Sequence, residues 1–424
     1  MFIMDKIVVI GGHDLKGTIQ ISGSKNAVLP IMTATLLAEG AYRIKNVPML
    51  RDVKTMSHLL QSIGAEVNID EHCLTIDTTG CSVFEAPYDL VKTMRASIYV
   101  LGPLVGRFGY GRVSLPGGCA WGPRPINLHI TSLRKLGAYV EIDQGYIIAK
   151  AKRLKGTHIS LDIPSVGATG NILMAAVLAR GTTTIDNAAK EPEIVTLCQF
   201  LQKMGANIHG IGTGHLEIEG VDNLHPAEYK IIPDRIEAGT FLTATHIVGG
   251  NVRLEGTCSS HLVAVIHKLR DCGAIIEEGE DWIHIESNGR ISPLNVSTAV
   301  YPGFPTDMQA QWMALMSVAK GSSIVMDTIF FDRFTHVAEL QRLGADITLD
   351  GNVAIIKGVA HLSGAHVMST DLRASASLIL AGLVAQGRTD ISRVYHIDRG
   401  YESIEKKMKS LGAEIWRDQE ELVT

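Results

Sequence analysis

The segment LPGGCAWGPRP, residues 115–125, places one thiol, Cys119, directly after Gly117 and Gly118, and holds Arg124 between Pro123 and Pro125. Two glycines let a backbone swing and approach a ligand closely, and two prolines stiffen the far side of the loop. A thiol with its ordinary pKa of about 8.5 is a proton donor at neutral pH, and neighbouring cations turn it towards the nucleophilic thiolate. Cations recur in other loops: Lys25 in GSKN, Arg95 in KTMR, Arg235 in PDRI, Arg373 in TDLR, Arg333 in FFDRF and Arg399 in HIDRG. Four of these stand just ahead of apolar segments with helical character. A helix N-terminus offers free N–H groups and the positive end of a dipole, so a cation there strengthens an anion site. If such termini point at one cleft, they suit a small ligand with several negative charges.

The elements that must carry these residues repeat. A Gly-Ala phrase recurs as SIGAEV at Gly64, KLGAYV at Gly137, KMGANI at Gly205, DCGAII at Gly273, RLGADI at Gly344 and SLGAEI at Gly412. Each follows an amphipathic helical pattern and precedes a β-rich run, so the glycine reads as a helix C-cap leading into a strand. Earlier in each unit lies a small-residue helix, such as SVGATGNILMAAVLARG or DLRASASLILAGLVAQG, apolar on nearly every face and therefore buried. The six units predict an α/β fold of βαβαββ-like repeats, gathered into two domains of three. The boundaries expected are 24–232 for the first domain and 1–23 with 233–424 for the second. By symmetry, the N-terminal strand completes the second domain.

Composition narrows the function class. The 424 residues suffice for two or three cores, and 46% apolar with 20% charged residues is the balance of a soluble globular chain. A formal net charge of −5 gives no general attraction to nucleic acid or to anionic membrane, so anion binding must be local. The N-terminus MFIMDKIVVIGG lacks the marks of a secretory signal, which predicts a cytoplasmic protein. Cys73, Cys81, Cys119, Cys198, Cys258 and Cys272 form no CxxC pair and no disulfide framework, and no metal site is indicated.

Taken in order, GSKNAVLP, YDLVKTMRAS, LPGGCAWGPRP, SVGAT, NAAKEPEIV, PDRIEAGTF, FPTDMQAQ, DLRASASL and YHIDRGYE resemble the motifs of the UDP-N-acetylglucosamine enolpyruvyltransferase family, from about residue 5 to about residue 417. The resemblance implies an inside-out α/β barrel fold in two domains, with the active site in the cleft between them. It implies transfer of the enolpyruvyl group of phosphoenolpyruvate to the 3-hydroxyl of UDP-N-acetylglucosamine, with release of phosphate and no cofactor.

The resemblance also assigns residues. Lys25, Arg124 and Arg399 would hold the phosphate, and Arg333 and Arg373 the carboxylate, of phosphoenolpyruvate. Cys119 would protonate the vinyl carbon and Asp307 would act as base on the sugar hydroxyl. Asn26, Arg95, Pro125, Ser165, Val166, Gly167 and Ile329 would contact substrate, with Asp371 near the reacting carbon. Each has a plainer reading from its own surroundings: Asp307 and Asp371 as helix N-caps, the small residues of SVGAT as packing, His129 as a structural histidine. Glu191 and Glu193 would play a supporting part at the first-domain site. Ile163, Trp121 and Asn127 depart from the family pattern, which bears on nucleotide contacts and loop closure. Two rivals stand beside this reading: the related enzymes that transfer enolpyruvyl to shikimate 3-phosphate, which lack the GGC loop and the sugar-nucleotide motifs, and a paralogue that binds the nucleotide without catalysis, which would be marked by loss of Lys25, Cys119, Asp307 or Arg399; all four are present.

Overall fold

The computed structural model describes residues 2–115 and 126–422. One repeat shows how all are built. Strand Glu85–Ala86 leads through helix Leu101–Phe108 to strand Tyr110–Ser114, then through helix Asn127–Lys135 to the hairpin Tyr139–Asp143 and Tyr146–Lys150. The first two strands pair in parallel, and the others antiparallel. Register places Val113 opposite Ile147, and both point to the buried face. Six four-stranded sheets follow this plan.

The six Gly-Ala phrases all take the predicted form. Gly64, Gly137, Gly205, Gly273, Gly344 and Gly412 have φ between 90° and 107°, the left-handed region where a side chain is strained. At each the chain leaves its amphipathic helix for a strand, the first strand of a hairpin in the first five units and Glu414–Leu422, which pairs with Phe2–Ile10, in the sixth.

The chain divides into two compact units, Gly23–Ile232 and Met1–Ser22 with Pro233–Thr424. Each contains three of the sheets and has its own hydrophobic core. In the first unit, helices Lys25–Ala34, Leu101–Phe108 and Val166–Ala176 lie inside; in the second, Arg235–Val248, Gln309–Met316 and Ala374–Val384 pack on one another. Almost every side chain of Gln309–Met316 and Ala374–Val384 is buried. Helices that are apolar all round need this central position, and the sheets cover them with one face each. The result is the expected inside-out α/β barrel architecture. A Cβ on Gly102 would meet the Asn171 backbone oxygen at 2.5 Å, so two central helices approach as only glycine permits.

Two features differ from a simple chain of local repeats. The apolar run KTMRASIYVLGPLV is not one helix but a 3-10 turn, Arg95–Val100, followed by helix Leu101–Phe108, with Pro103 fixing the first helical turn. Strand Leu15–Gln20 pairs with Gly250–Glu255 and not with the next strand, Ala41–Lys45, which instead takes Glu228–Lys230. Strand Phe2–Ile10 fills the sixth sheet between Arg388–Ser392 and Glu414–Leu422.

Candidate active site

In the second unit four predicted residues meet. Asp307, in the 3-10 turn Thr306–Met308, accepts a hydrogen bond from Arg333 Nη1 at 2.8 Å, and the same nitrogen donates to Thr306 Oγ1 at 3.0 Å. Arg333 Nη2 lies 3.8 Å from Asp371 Oδ1, and Arg373 Nε lies 4.0 Å from Asp307 Oδ2. Both arginine side chains are almost wholly buried, at 5% and 1% exposure, whereas Asp307 keeps 26%. Asp307 is thus the most accessible member of a cluster backed by two fixed cations.

Burial alone would lower the pKa of each guanidinium. Asp307 and Asp371 reverse this for Arg333, and Asp234 leads the reversal for Arg373, so both stand above their ordinary values. Arg373 Nη2 donates to Asp234 Oδ2 at 2.9 Å and Nη1 to the Gly400 carbonyl at 2.8 Å. Its Nε makes no hydrogen bond. Burial pushes Asp234 up, but Arg373 and two amides at the start of helix Arg235–Val248 hold it below the usual carboxylate range.

The expected N-cap role holds for Asp371, whose Oδ1 accepts from the amides of Arg373 and Ala374 at 3.1 and 2.9 Å. Asp307 instead turns its carboxylate to Arg333. A carboxylate beside two permanent cations can orient a hydroxyl and take its proton, while the cations compensate an incoming anion.

Sequence reading missed the residues that shape this cluster. Asp327 Oδ1 accepts from Thr298 Oγ1 and from the amides of Ile329 and Phe330, and its Oδ2 from Thr306 Oγ1 at 2.7 Å. It thereby ties the loop carrying Ile329 to the segment carrying Asp307. An aspartate bonding amides two and three residues on is an Asx turn, which the run MDTIFF signals weakly. Tyr401, Thr240 and Gln311 form a buried hydroxyl–amide group, and the Arg373 guanidinium lies 5.0 Å from the Tyr401 ring centroid. Arg399 ends the 3-10 helix Val394–Arg399 and is half-buried.

In the first unit, Lys25 opens helix Lys25–Ala34 with Nζ 3.2 Å from Asp52 Oδ2; both side chains are nine-tenths buried. Asn26 follows on the same turn. Ser165 caps helix Val166–Ala176, its Oγ accepting from the Ala168 amide at 3.3 Å, and the Val166 carbonyl accepts from Tyr99 Oη at 3.2 Å. A Cβ on Gly167 would meet His129 Nε2 at 3.4 Å. The Asn171 amide nitrogen, which donates to the Ile98 carbonyl, lies 2.9 Å from His129 Nδ1. With that amide as donor, Nδ1 accepts and Nε2 carries the hydrogen. Burial, helped by Arg95, pushes His129 down to about 4, so it is neutral near pH 7. Burial and then the charges of Glu191 and Glu193 push Tyr99 up. SVGAT, Arg95, His129 and the two glutamates therefore share one neighbourhood.

Cys119, Arg124, Pro125 and Trp121 lie outside the described residues. Among the described cysteines, Cys198 and Cys272 are buried with thiols pushed up by desolvation to about 12, which marks them as core residues. Among the described residues no three His, Cys, Asp or Glu side chains are grouped to hold a metal, and no helix is long and apolar enough to cross a membrane.

Known proteins share this architecture. The enolpyruvyl transferase NikO from Streptomyces tendae matches with a TM-score of 0.89 at 26% identity, over 99% of this chain and 100% of its own. An EPSP synthase from Acinetobacter baumannii matches in fold alone, with a TM-score of 0.76 at 18% identity over 98% and 100% of the two chains. A family profile described as EPSP synthase (3-phosphoshikimate 1-carboxyvinyltransferase) spans residues 9–408. Fold and profile together define the enolpyruvyl transferase class.

Sequence relatives resolve the class further. Proteins named UDP-N-acetylglucosamine 1-carboxyvinyltransferase from Thermodesulfovibrio yellowstonii and Chloroherpeton thalassium are 56% identical over 415 residues and 58% identical over 417. The alignments cover 98% of this chain and 100% and 97% of those proteins. The chain belongs to the UDP-N-acetylglucosamine 1-carboxyvinyltransferase family.

Proposed function

We propose that the protein transfers the enolpyruvyl group of phosphoenolpyruvate to the 3-hydroxyl of UDP-N-acetylglucosamine, releasing phosphate, as the first committed step of peptidoglycan synthesis in the cytoplasm. The observation that carries this reading is identity above one half, over nearly the whole chain, to relatives named for that reaction.

The chemistry is addition followed by elimination. The sugar hydroxyl loses a proton and attacks the carbon that bears the phosphate, while the neighbouring vinyl carbon gains a proton. Phosphate then leaves, and a proton departs from the new methyl group to restore the double bond. Asp307 is the base in this reading, since it is the more accessible carboxylate of its cluster and is held by Arg333. Arg333 serves the substrate carboxylate, and Arg373 contributes through Nε, its other two nitrogens being engaged by Asp234 and Gly400. Lys25, Arg124 and Arg399 hold the phosphate, which leaves as a dianion and needs cations most at that moment. Cys119 supplies the proton to the vinyl carbon. Asn26, Arg95, Ser165, Val166, Gly167 and Ile329 place the nucleotide sugar.

The test is phosphate release from phosphoenolpyruvate with and without UDP-N-acetylglucosamine, paired with mass analysis of the nucleotide product. Release that depends on the nucleotide and yields the enolpyruvyl ether supports the reading. Nucleotide binding without release overturns it.

A further inference from the structure

Arg417, on strand Glu414–Leu422, holds carboxylates from three other elements. Its Nη1 and Nη2 donate to the two oxygens of Asp398 at 3.0 and 2.6 Å. Nε and Nη2 reach Glu405, on helix Ile404–Ser410, at 3.2 and 3.5 Å, and Nη1 reaches Asp5, on strand Phe2–Ile10, at 3.3 Å. A lone exposed ion pair contributes little, but a two-pronged guanidinium–carboxylate fork within a network fixes direction as well as distance. The Glu405 side chain is only 8% exposed, and those of Arg417 and Asp398 are 28% and 34% exposed.

Asp398 is the residue before Arg399 in the 3-10 helix Val394–Arg399. One guanidinium facing three carboxylates leaves an anionic surplus beneath that turn. Take Arg417 away, and an unneutralised carboxylate stands one residue from a cation that the proposed reaction needs for phosphate. We propose that Arg417 is a positioning residue for the reaction: by occupying both oxygens of Asp398, it prevents that carboxylate from drawing Arg399 away from the substrate phosphate. The inference rests on the reading of Arg399 as a phosphate-holding residue.

The test compares the full chain with R417Q, D398N, the double variant R417Q/D398N, and R399Q, measuring kcat and KM for each substrate. In R417Q, KM for phosphoenolpyruvate rises about tenfold while that for UDP-N-acetylglucosamine stays within about twofold, and adding D398N recovers most of the loss. A merely structural role would give a defect that D398N does not relieve. An unmoved KM in R417Q, or a rise that survives D398N, overturns the proposal. If R399Q itself leaves both constants unmoved, the reading of Arg399 fails; if R399Q is impaired and R417Q is not, the positioning inference alone fails. Should R417Q not fold, R417K carries the test with charge but no fork: a rise of about threefold supports the proposal and no rise overturns it.

Discussion

His336 gives a prediction whose size can be worked through. Its side chain is buried at 1% exposure, neither ring nitrogen has a hydrogen-bond partner, and burial reinforced by Arg333 pushes it from 6.5 down to about 3. In the unfolded chain it takes up a proton as pH falls through 6.5, whereas the folded protein resists protonation until about pH 3. Stability from this group is therefore complete above pH 6.5 and drains away as pH falls towards 3. Between pH 7 and pH 5 the unfolded state gains roughly 2 kcal/mol from His336 alone. His336→Leu removes that gain and a buried polar group with no partner, so the variant should be at least as stable at pH 7. The assay is urea unfolding at pH 7 and pH 5, followed by the fluorescence of Trp312, which is fully buried in the same core. The wild-type chain should lose about 2 kcal/mol more than the variant over this interval. Equal losses within about 0.5 kcal/mol would refute the reasoning, because His336 would then not be a neutral group excluded from water.

Three further outcomes follow from the site. Asp307→Asn should lower turnover by about 10²–10⁴-fold in the phosphate-release assay while nucleotide binding persists, and near-normal turnover would remove Asp307 from the base role. Arg373→Met leaves Asp234 charged and buried, which should cost about 3–5 kcal/mol in unfolding experiments, largely recovered by adding Asp234→Asn. Cys119→Ser should slow transfer strongly, and a phosphonate epoxide such as fosfomycin should form a single adduct that peptide mass mapping places on Cys119; an adduct elsewhere with activity intact would contradict the assignment.

Much of this architecture is written locally. The six Gly-Ala phrases are legible because a left-handed helix end leaves few alternatives to glycine, and the central helices because they have no polar face to show to water. Asp307 and Asp371 illustrate where local reading stops. Each precedes a helix and reads equally well as a cap, but only Asp371 caps; the carboxylate of Asp307 goes to Arg333, which no local pattern foretells. Asp327, Tyr401 and Asp234 escaped notice for the same reason, since their work is to hold other site residues through contacts distant in sequence. The pairing of Leu15–Gln20 with Gly250–Glu255 agrees with the expected place of 1–23 in the second domain, although its register is not written locally, because the alternation of side chains suits more than one partner.

That strand pairing also has a history in time. Every strand of the three sheets in Gly23–Ile232 comes from within that stretch, so it resembles a complete module spliced into the interior of another. On a ribosome the inserted module can close first. Strand Phe2–Ile10 has no partner until Arg388–Ser392 and Glu414–Leu422 have been made. For most of synthesis the apolar run KIVVI is an open edge, the kind of segment that chaperones shield and that aggregates when they are scarce. The same topology sets Phe2 opposite Leu422. A gene reordered so that residues 2–20 follow Leu422 would make strand Phe2–Ile10 beside partners already present, relieving it of its wait.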